Sequence, residues 1–538
     1  MRRANQILVL ILSFFLLVSS VLGETKPQEV VQADKVGWGE AMDYDDKTVE
    51  GDLNLSGRNL DSVHFNNTIF LGSVNFRRTN FTKDAWFFGA NFTNDADFEK
   101  AQFQDGADFG KAQFQGGADF SGAQFRSDYA GFSRAHFRGE AKFEDVNFSG
   151  EKVDFERAKF KEGADFDKAQ FRGQAYFYKA EFIQDESISE SASFESTNFF
   201  GCGNFEGAQF IKKVDYHFRV ANFGSTQFRG GAKFSDAKFI GGEANFYKAH
   251  FSDKELLDGC ANFEGAQFDG YADFISTMFI SDAVFREVNF TYGCSFNESQ
   301  FNETADFFES NFSKTVNFIT TQFVGDAHFD NSKFNGTANF EDARFSEYAF
   351  FNGVTFAERS NIRLNRTRYN KLYLHWNDIE DGKLVLEDEA YLKLIKNYRD
   401  LGRFEDANKC YFYYMKYRHY EGRTMKVTSK IFHLFYGFGT KPEYPIGWSI
   451  LVIILCGIIW HMCYKRDIEA TNPWDSFLFS LMVFLSGTKL SVDPPKNKPI
   501  PSARSGAKTL FIAERMTASV LFFFFLFAAS ASLLIKVT

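Results

Sequence analysis

Residues 107–125 read Ala107-Asp108-Phe109-Gly110-Lys111-Ala112-Gln113-Phe114-Gln115-Gly116-Gly117-Ala118-Asp119-Phe120-Ser121-Gly122-Ala123-Gln124-Phe125. Phe returns at steps that alternate between five and six or seven. A small residue sits two positions before it and a polar residue between them. The register holds from Phe92 through Phe182, continues through Phe205, Phe210, Phe223, Phe228, Phe234 and Phe239, and runs again from Phe263 to Phe356. In an α-helix, residue i+5 is turned by about 140°, so these Phe would not share a face. In a flat strand, i and i+5 point to opposite sides. The period therefore needs a chain that turns a corner every few residues. Ala and Phe then point inward along each short side, with Asp, Asn, Gln and Lys outside.

Units such as Ala107-Asp108-Phe109 and Ala261-Asn262-Phe263 resemble the pentapeptide-repeat family. That resemblance implies a right-handed quadrilateral β-helix over residues 52–356. Phe stands where many family members carry Leu. The extra residue in alternate units predicts about 22 residues per coil, two loosened corners and about 13 coils. Acidic interruptions at Ile183–Ser193 and Ser252–Gly259 read as loops on one corner. His64, His136, His250 and His328 fall in the outward slot. Cys202, Cys260 and Cys294 lack metal-site spacing.

Composition agrees with a repeat core. The 538 residues include 71 Phe but only 8 Pro and 6 Cys, which excludes a disordered chain and a disulfide-stapled scaffold. Charge is divided unevenly. Residues 51–350 hold 45 acidic and 29 basic side chains, whereas residues 401–538 hold 9 and 17. An acidic body with a basic, apolar end argues against nucleic acid as a partner and for a membrane surface. At the start, Arg2 and Arg3 precede the apolar run Ile7–Val18, and small residues lead to Gly23. This pattern predicts a signal peptide over 1–23, an alternative being an uncleaved anchor. Residues 24–51 read as a linker.

After residue 356 the Phe register stops. Residues 357–440 read as a helical connector, with helical spacing in Glu387–Leu401 and Phe404–Glu421 around Gly402, expected to cap the β-helix. Residues 441–538 read as a membrane module. Ile446–Tyr464 and Met516–Ile535 are each long enough to span, whereas Trp474–Leu485 has the length of a re-entrant helix. In order, Tyr436-Gly437-Phe438-Gly439 with Pro442, Phe479-Ser480-Leu481 and Glu514 resemble the two-span pore module of potassium-channel-like proteins. The resemblance implies a homotetramer with a pore loop at Ser486, Gly487, Thr488 and Lys489. Where the family filter has an aromatic and a second glycine, this chain has Thr488 and Lys489, which argues against potassium selectivity. Export of the repeats places the eight Lys and Arg of Lys465–Arg515 in the cytoplasm, against six on the outer flank Lys416–Lys441. Potassium-channel relatives place that loop outside.

Asn-x-Ser/Thr sequons stand at Asn54, Asn66, Asn80, Asn91, Asn147, Asn289, Asn297, Asn302, Asn311, Asn335 and Asn365, each a candidate glycosylation site if the domain is exported. There is no phosphate loop, nucleophile elbow or zinc spacing, so no enzyme and no cofactor is expected. Two functions stay open: a channel-like membrane protein carrying an exported repeat domain, and a cell-surface scaffold or adhesion protein for which the spans are only an anchor. Both place the protein in the cell membrane with its repeats outside the cytoplasm. The protein partner of the repeats stays unknown.

Overall fold

The computed structural model describes residues 28–37, 41–184, 190–213, 218–252, 260–379, 383–385, 387–420, 427–488 and 505–537. They divide into two compact units, one almost entirely residues up to 374 and the other mainly 386 onward. The first is a parallel β-solenoid with four walls. In the coil quoted above, wall 1 is Ala107–Asp108, wall 2 Gln113–Phe114, wall 3 Ala118–Asp119 and wall 4 Gln124–Phe125. Each strand pairs in parallel with its equivalent one coil away: Gln113 lies opposite Asn91 and Ala118 opposite Ala96, each 22 residues on. Among the described residues, walls 2 and 3 are each sheets of 15 strands. Walls 1 and 4 merge through Arg344–Phe350 and Arg368–Tyr373, two strands that run through a corner.

The interior explains the sequence. Phe92, Phe114, Phe137 and Phe160 stack with ring centroids 4.7–4.8 Å apart and rings within 5° of parallel, the spacing of adjacent strands. Phe109 and Phe120, from opposite walls, meet edge to face at 5.3 Å and 84°, the arrangement that aromatic quadrupoles favour. Ala107, Ala112, Ala118 and Ala123 are buried beside them. Some coils replace this Ala with Ser or Thr. The hydroxyl then donates to a Phe carbonyl of the preceding coil, as Thr197 does to Phe166 at 2.6 Å and Thr321 to Phe296 at 2.6 Å. A buried hydroxyl is thereby satisfied.

Corners come in two kinds: Asp between Ala and Phe goes with one and Gln with the other, while Lys stands at both, as Lys142 and Lys159 do. After walls 1 and 3 the chain turns through a left-handed residue, such as Lys111 at φ 56°, behind Asp108, or Arg134 at φ 57°, behind Gly131. The Asp braces the turn: Asp108 Oδ1 accepts from the Gly110 N–H at 2.7 Å, and Asp119 Oδ1 from the Ser121 N–H at 2.8 Å. After the Gln units of walls 2 and 4, the extra residue makes the looser corner. There, coils approach so closely that a Cβ on Gly173 would stand 2.1 Å from the Glu151 carbonyl oxygen.

The solenoid outruns the expected 52–356. Strands Val30–Gln32, Ala41–Asp43 and Thr48–Glu50 already belong to its walls, so the linker reading of 24–51 is corrected for these residues. Ile362–Arg363, Arg368–Tyr373 and Leu384–Val385 extend it at the other end, into the expected connector. The stack has about 15 turns rather than 13. Its terminal coils bury Met42, Val49, Leu53 and Leu60, or Ile362, Leu364 and Leu372, in place of Phe. Ile183 and Gln184 lie in strand Glu181–Gln184, and Ala192–Ser193 is again a strand. Residues 185–189 and 253–259, from the two expected loops, lie outside the described residues, as does the expected signal peptide.

The second unit is helical. Helices α1 (Asp388–Asp400) and α2 (Phe404–Tyr420) form a hairpin around Gly402 at φ 70°. Then come α3 (Val427–Tyr436), α4 (Glu443–Tyr464), α5 (Pro473–Gly487) and α6 (Ser505–Val537). Helices α4 and α6 are long and apolar enough to cross a membrane. An outward row on α4, Ile446, Ile450, Ile454 and Ile458, is exposed, as are Ile512, Met516, Val520, Phe523 and Phe527 on α6.

Candidate functional site

The short helix α5 begins with a capping box. The Asn472 side chain accepts from the Asp475 N–H at 3.0 Å, Asp475 Oδ2 accepts from the Asn472 N–H at 3.0 Å, and Pro473 takes the first helical position. The helix packs between the two long ones. Phe479 and Val483 share a buried cluster with Trp460 of α4 and Ala507 of α6, and Phe484 packs with Ala518 and Leu521.

This packing fixes the expected pore loop. Ser486 and Gly487 are the last two residues of α5 and Thr488 caps it, with φ −75° and ψ −6°. The Ser486 hydroxyl donates to the Val483 carbonyl at 2.7 Å. The Thr488 N–H and hydroxyl both reach the Leu485 carbonyl, at 3.1 and 2.6 Å. The Gly487 carbonyl accepts from the Ser519 hydroxyl of α6 at 2.6 Å. A Cβ on Gly487 would stand 2.5 Å from the Arg515 carbonyl oxygen, so only glycine allows this approach. Lys489 lies outside the described residues.

Ser480 and Glu514, both picked out in the sequence, meet with Trp460 in a polar centre at this helix junction, a meeting that the sequence alone did not foretell. Glu514 of α6 is 2% exposed. Its Oε2 accepts from the Trp460 indole N–H at 2.9 Å, and the Ser480 hydroxyl contacts its Oε1; the same hydroxyl lies 2.9 Å from the Ile453 carbonyl. One side chain thus ties three helices together. Its signal in the sequence was an acid beside Arg515, just before the second apolar stretch.

On the solenoid, Asp165, Asp167, Glu190, Glu195, Glu140 and Glu162 line an open cavity of about 410 Å³ beside wall 3. Burial pushes the Asp165 carboxyl up to about 6 and that of Glu190 to about 7, the latter opposed by Arg219 at 3.7 Å. Asp167 Oδ1 accepts from the Ser193 hydroxyl at 2.5 Å and from the Glu195 N–H at 2.9 Å. No group of three or more His, Cys, Asp or Glu is placed to hold a metal among the described residues.

The sequons lie on the outside of the coils. Asn54 and Asn335 are exposed; Asn66, Asn80, Asn91, Asn147, Asn289, Asn297, Asn302, Asn311 and Asn365 are half-buried. Several spend the amide nitrogen that a glycan would take. Asn66 donates to Asp45 at 3.0 Å, Asn80 to Asn59 at 2.9 Å and Asn311 to Asn289 at 3.0 Å. All four outward His are half-buried; burial lowers His136 and His250 below the ordinary imidazole range, whereas the Asp330 carboxylate raises His328.

Three overlapping segments, 59–102, 87–135 and 132–181, match the family model described as pentapeptide repeats (9 copies). Over residues 59–181 the solenoid is similar to pentapeptide repeats. The parallel walls continue past the matched residues to Leu384–Val385, with longer coils such as Ala164 to Ala192 and register shifts at Arg219/Ala221 and Phe345/Tyr348. No family model supports a pore module in residues 400–538. Compared with curated proteins and with solved structures, the chain matches none.

Proposed function

We propose that this chain is a membrane-anchored pentapeptide-repeat protein whose exported solenoid is a rigid, acidic display surface, with α4–α6 as its anchor. The role is one of presentation rather than catalysis. The observation that carries this reading is the engaged, helical backbone at Ser486–Thr488. A selectivity filter needs a row of carbonyls free to replace an ion's hydration shell, and here the Gly487 carbonyl is held by Ser519. The outward apolar rows on α4 and α6 support the membrane half of the reading.

A channel-like homotetramer is the second reading. It is favoured by α5, which starts near the end of α4, where Ser476 lies 3.4 Å from His461, and packs against both long helices. Purified protein in planar bilayers, with its mass measured in detergent, separates the two. The anchor reading expects no current from wild type or Lys489→Gly. A reproducible current whose reversal potential moves toward cations in Lys489→Gly would establish the pore instead.

A further inference from the structure

Helix α3 precedes the first span and is pinned to both spans along one side. The Phe435 ring lies 5.2 Å from Trp448 of α4, Tyr436 stacks on Phe524 of α6 at 5.1 Å and 4°, and the Trp448 indole N–H donates to the Leu434 carbonyl at 2.8 Å. Apolar surface stays uncovered around these contacts: Ile431, Phe432 and Leu434 are 39%, 41% and 50% exposed. Between α3 and α4 runs a groove of about 510 Å³, lined by His433, Leu434, Tyr444, Gly447, Trp448 and Leu451, with Glu443 at its polar end. Its floor is open at Gly447, where a Cβ would meet no atom within 4 Å.

We propose that α3 lies in the head-group zone of a bilayer and that the α3–α4 groove holds a phospholipid acyl chain. The inference rests on reading α4 and α6 as membrane spans. Three observations select lipid as the occupant. The uncovered apolar residues of α3 adjoin exposed apolar residues of both spans: Leu451 of α4 lines the groove, and Phe527 of α6, next to Phe523, meets Tyr436 at 5.8 Å. Tyr444 and Trp448 stand at the groove, and such amphipathic rings favour the boundary between hydrocarbon and water. Exposed Lys430 on α3 carries a charge that suits an anionic head group, while half-buried Lys441, just before α4, lies 3.7 Å from Glu443.

The test uses the full chain in vesicles of phosphatidylcholine and phosphatidylglycerol, with a photoreactive benzophenone amino acid at Leu434 or, as a reference on the outward row of α4, at Ile454. Intact mass after illumination identifies the adduct. A phospholipid adduct at both positions is expected. Gly447→Trp, which fills the groove, should reduce the adduct at 434 severalfold and leave that at 454 unchanged. Lipid at 454 with protein crosslinks or no lipid at 434 would overturn the proposal in favour of a second copy or water on this face. An adduct at 434 indifferent to Gly447→Trp would remove the groove as its site. No lipid at 454 would overturn the membrane reading beneath it.

Discussion

Phe166 is wholly buried, stacked on Phe143 at 4.7 Å and Phe194 at 4.8 Å, with Phe155 and Phe177 edge-on at 5.3 and 5.4 Å. Removing it opens a void between two coils that cannot collapse without breaking registry. Phe166→Ala should lower stability by about 3–5 kcal/mol, whereas Gln170→Ala, on an exposed side chain, should stay within about 0.5 kcal/mol. Unfolding midpoints of the two variants check this. The acidic cavity gives a second residue-scale expectation. The folded-state pKa of Glu190 lies above its unfolded value, so the folded protein holds a proton that the unfolded chain releases. Stability from this group is present below the ordinary carboxylate range and is lost as pH rises toward about 7. Glu190→Gln should therefore gain on wild type between pH 4.5 and 8, by on the order of 1–3 kcal/mol. Equal pH profiles for both would place Glu190 in water.

Among the elements, the strands were legible and the corners only partly so. Ala and Phe two apart define an inward side whichever way the chain turns, so the walls followed from spacing alone. That Asp units precede left-handed corners and Gln units loose ones depends on a hydrogen bond back to the chain, as from Gly110 to Asp108, which spacing does not reveal. The left-handed corners carry their own expectation. Arg134→Gly should be nearly neutral, because glycine adopts φ 57° freely. Arg134→Val should cost about 1–2 kcal/mol, read as a drop in melting temperature relative to Arg134→Gly. The terminal coils escaped notice for a simpler reason: Met42, Val49 and Leu53 fill the core where a search for Phe finds nothing. In residues 441–537, the lengths of the apolar runs foretold three helices, seen as α4, α5 and α6. The helical state of Ser486–Thr488 was hidden, because a glycine and two hydroxyl residues suit a loop equally well. Contacts from Arg515, Ala518 and Ser519, far along the chain, decide it.

For the whole molecule, the two units set up a topological expectation. If the repeats are exported, protease added to intact cells should remove the solenoid and leave a membrane-bound remnant containing α4–α6. A solenoid protected until the cells are lysed would reverse the orientation. Length also matters at this scale. About 15 coils at a strand spacing of about 4.8 Å make a stack roughly 70 Å long, held without a disulfide among the described residues.

Every ladder bond in that stack runs along its axis, from one coil to the next. Tension applied between the ends therefore loads the bonds of one coil at a time instead of shearing many together. Such a rod should peel rather than snap. Each coil of 22 residues between equivalent strands would release roughly 70–80 Å of chain as it comes away, leaving the coils behind it intact and ready to rewind when the load is removed.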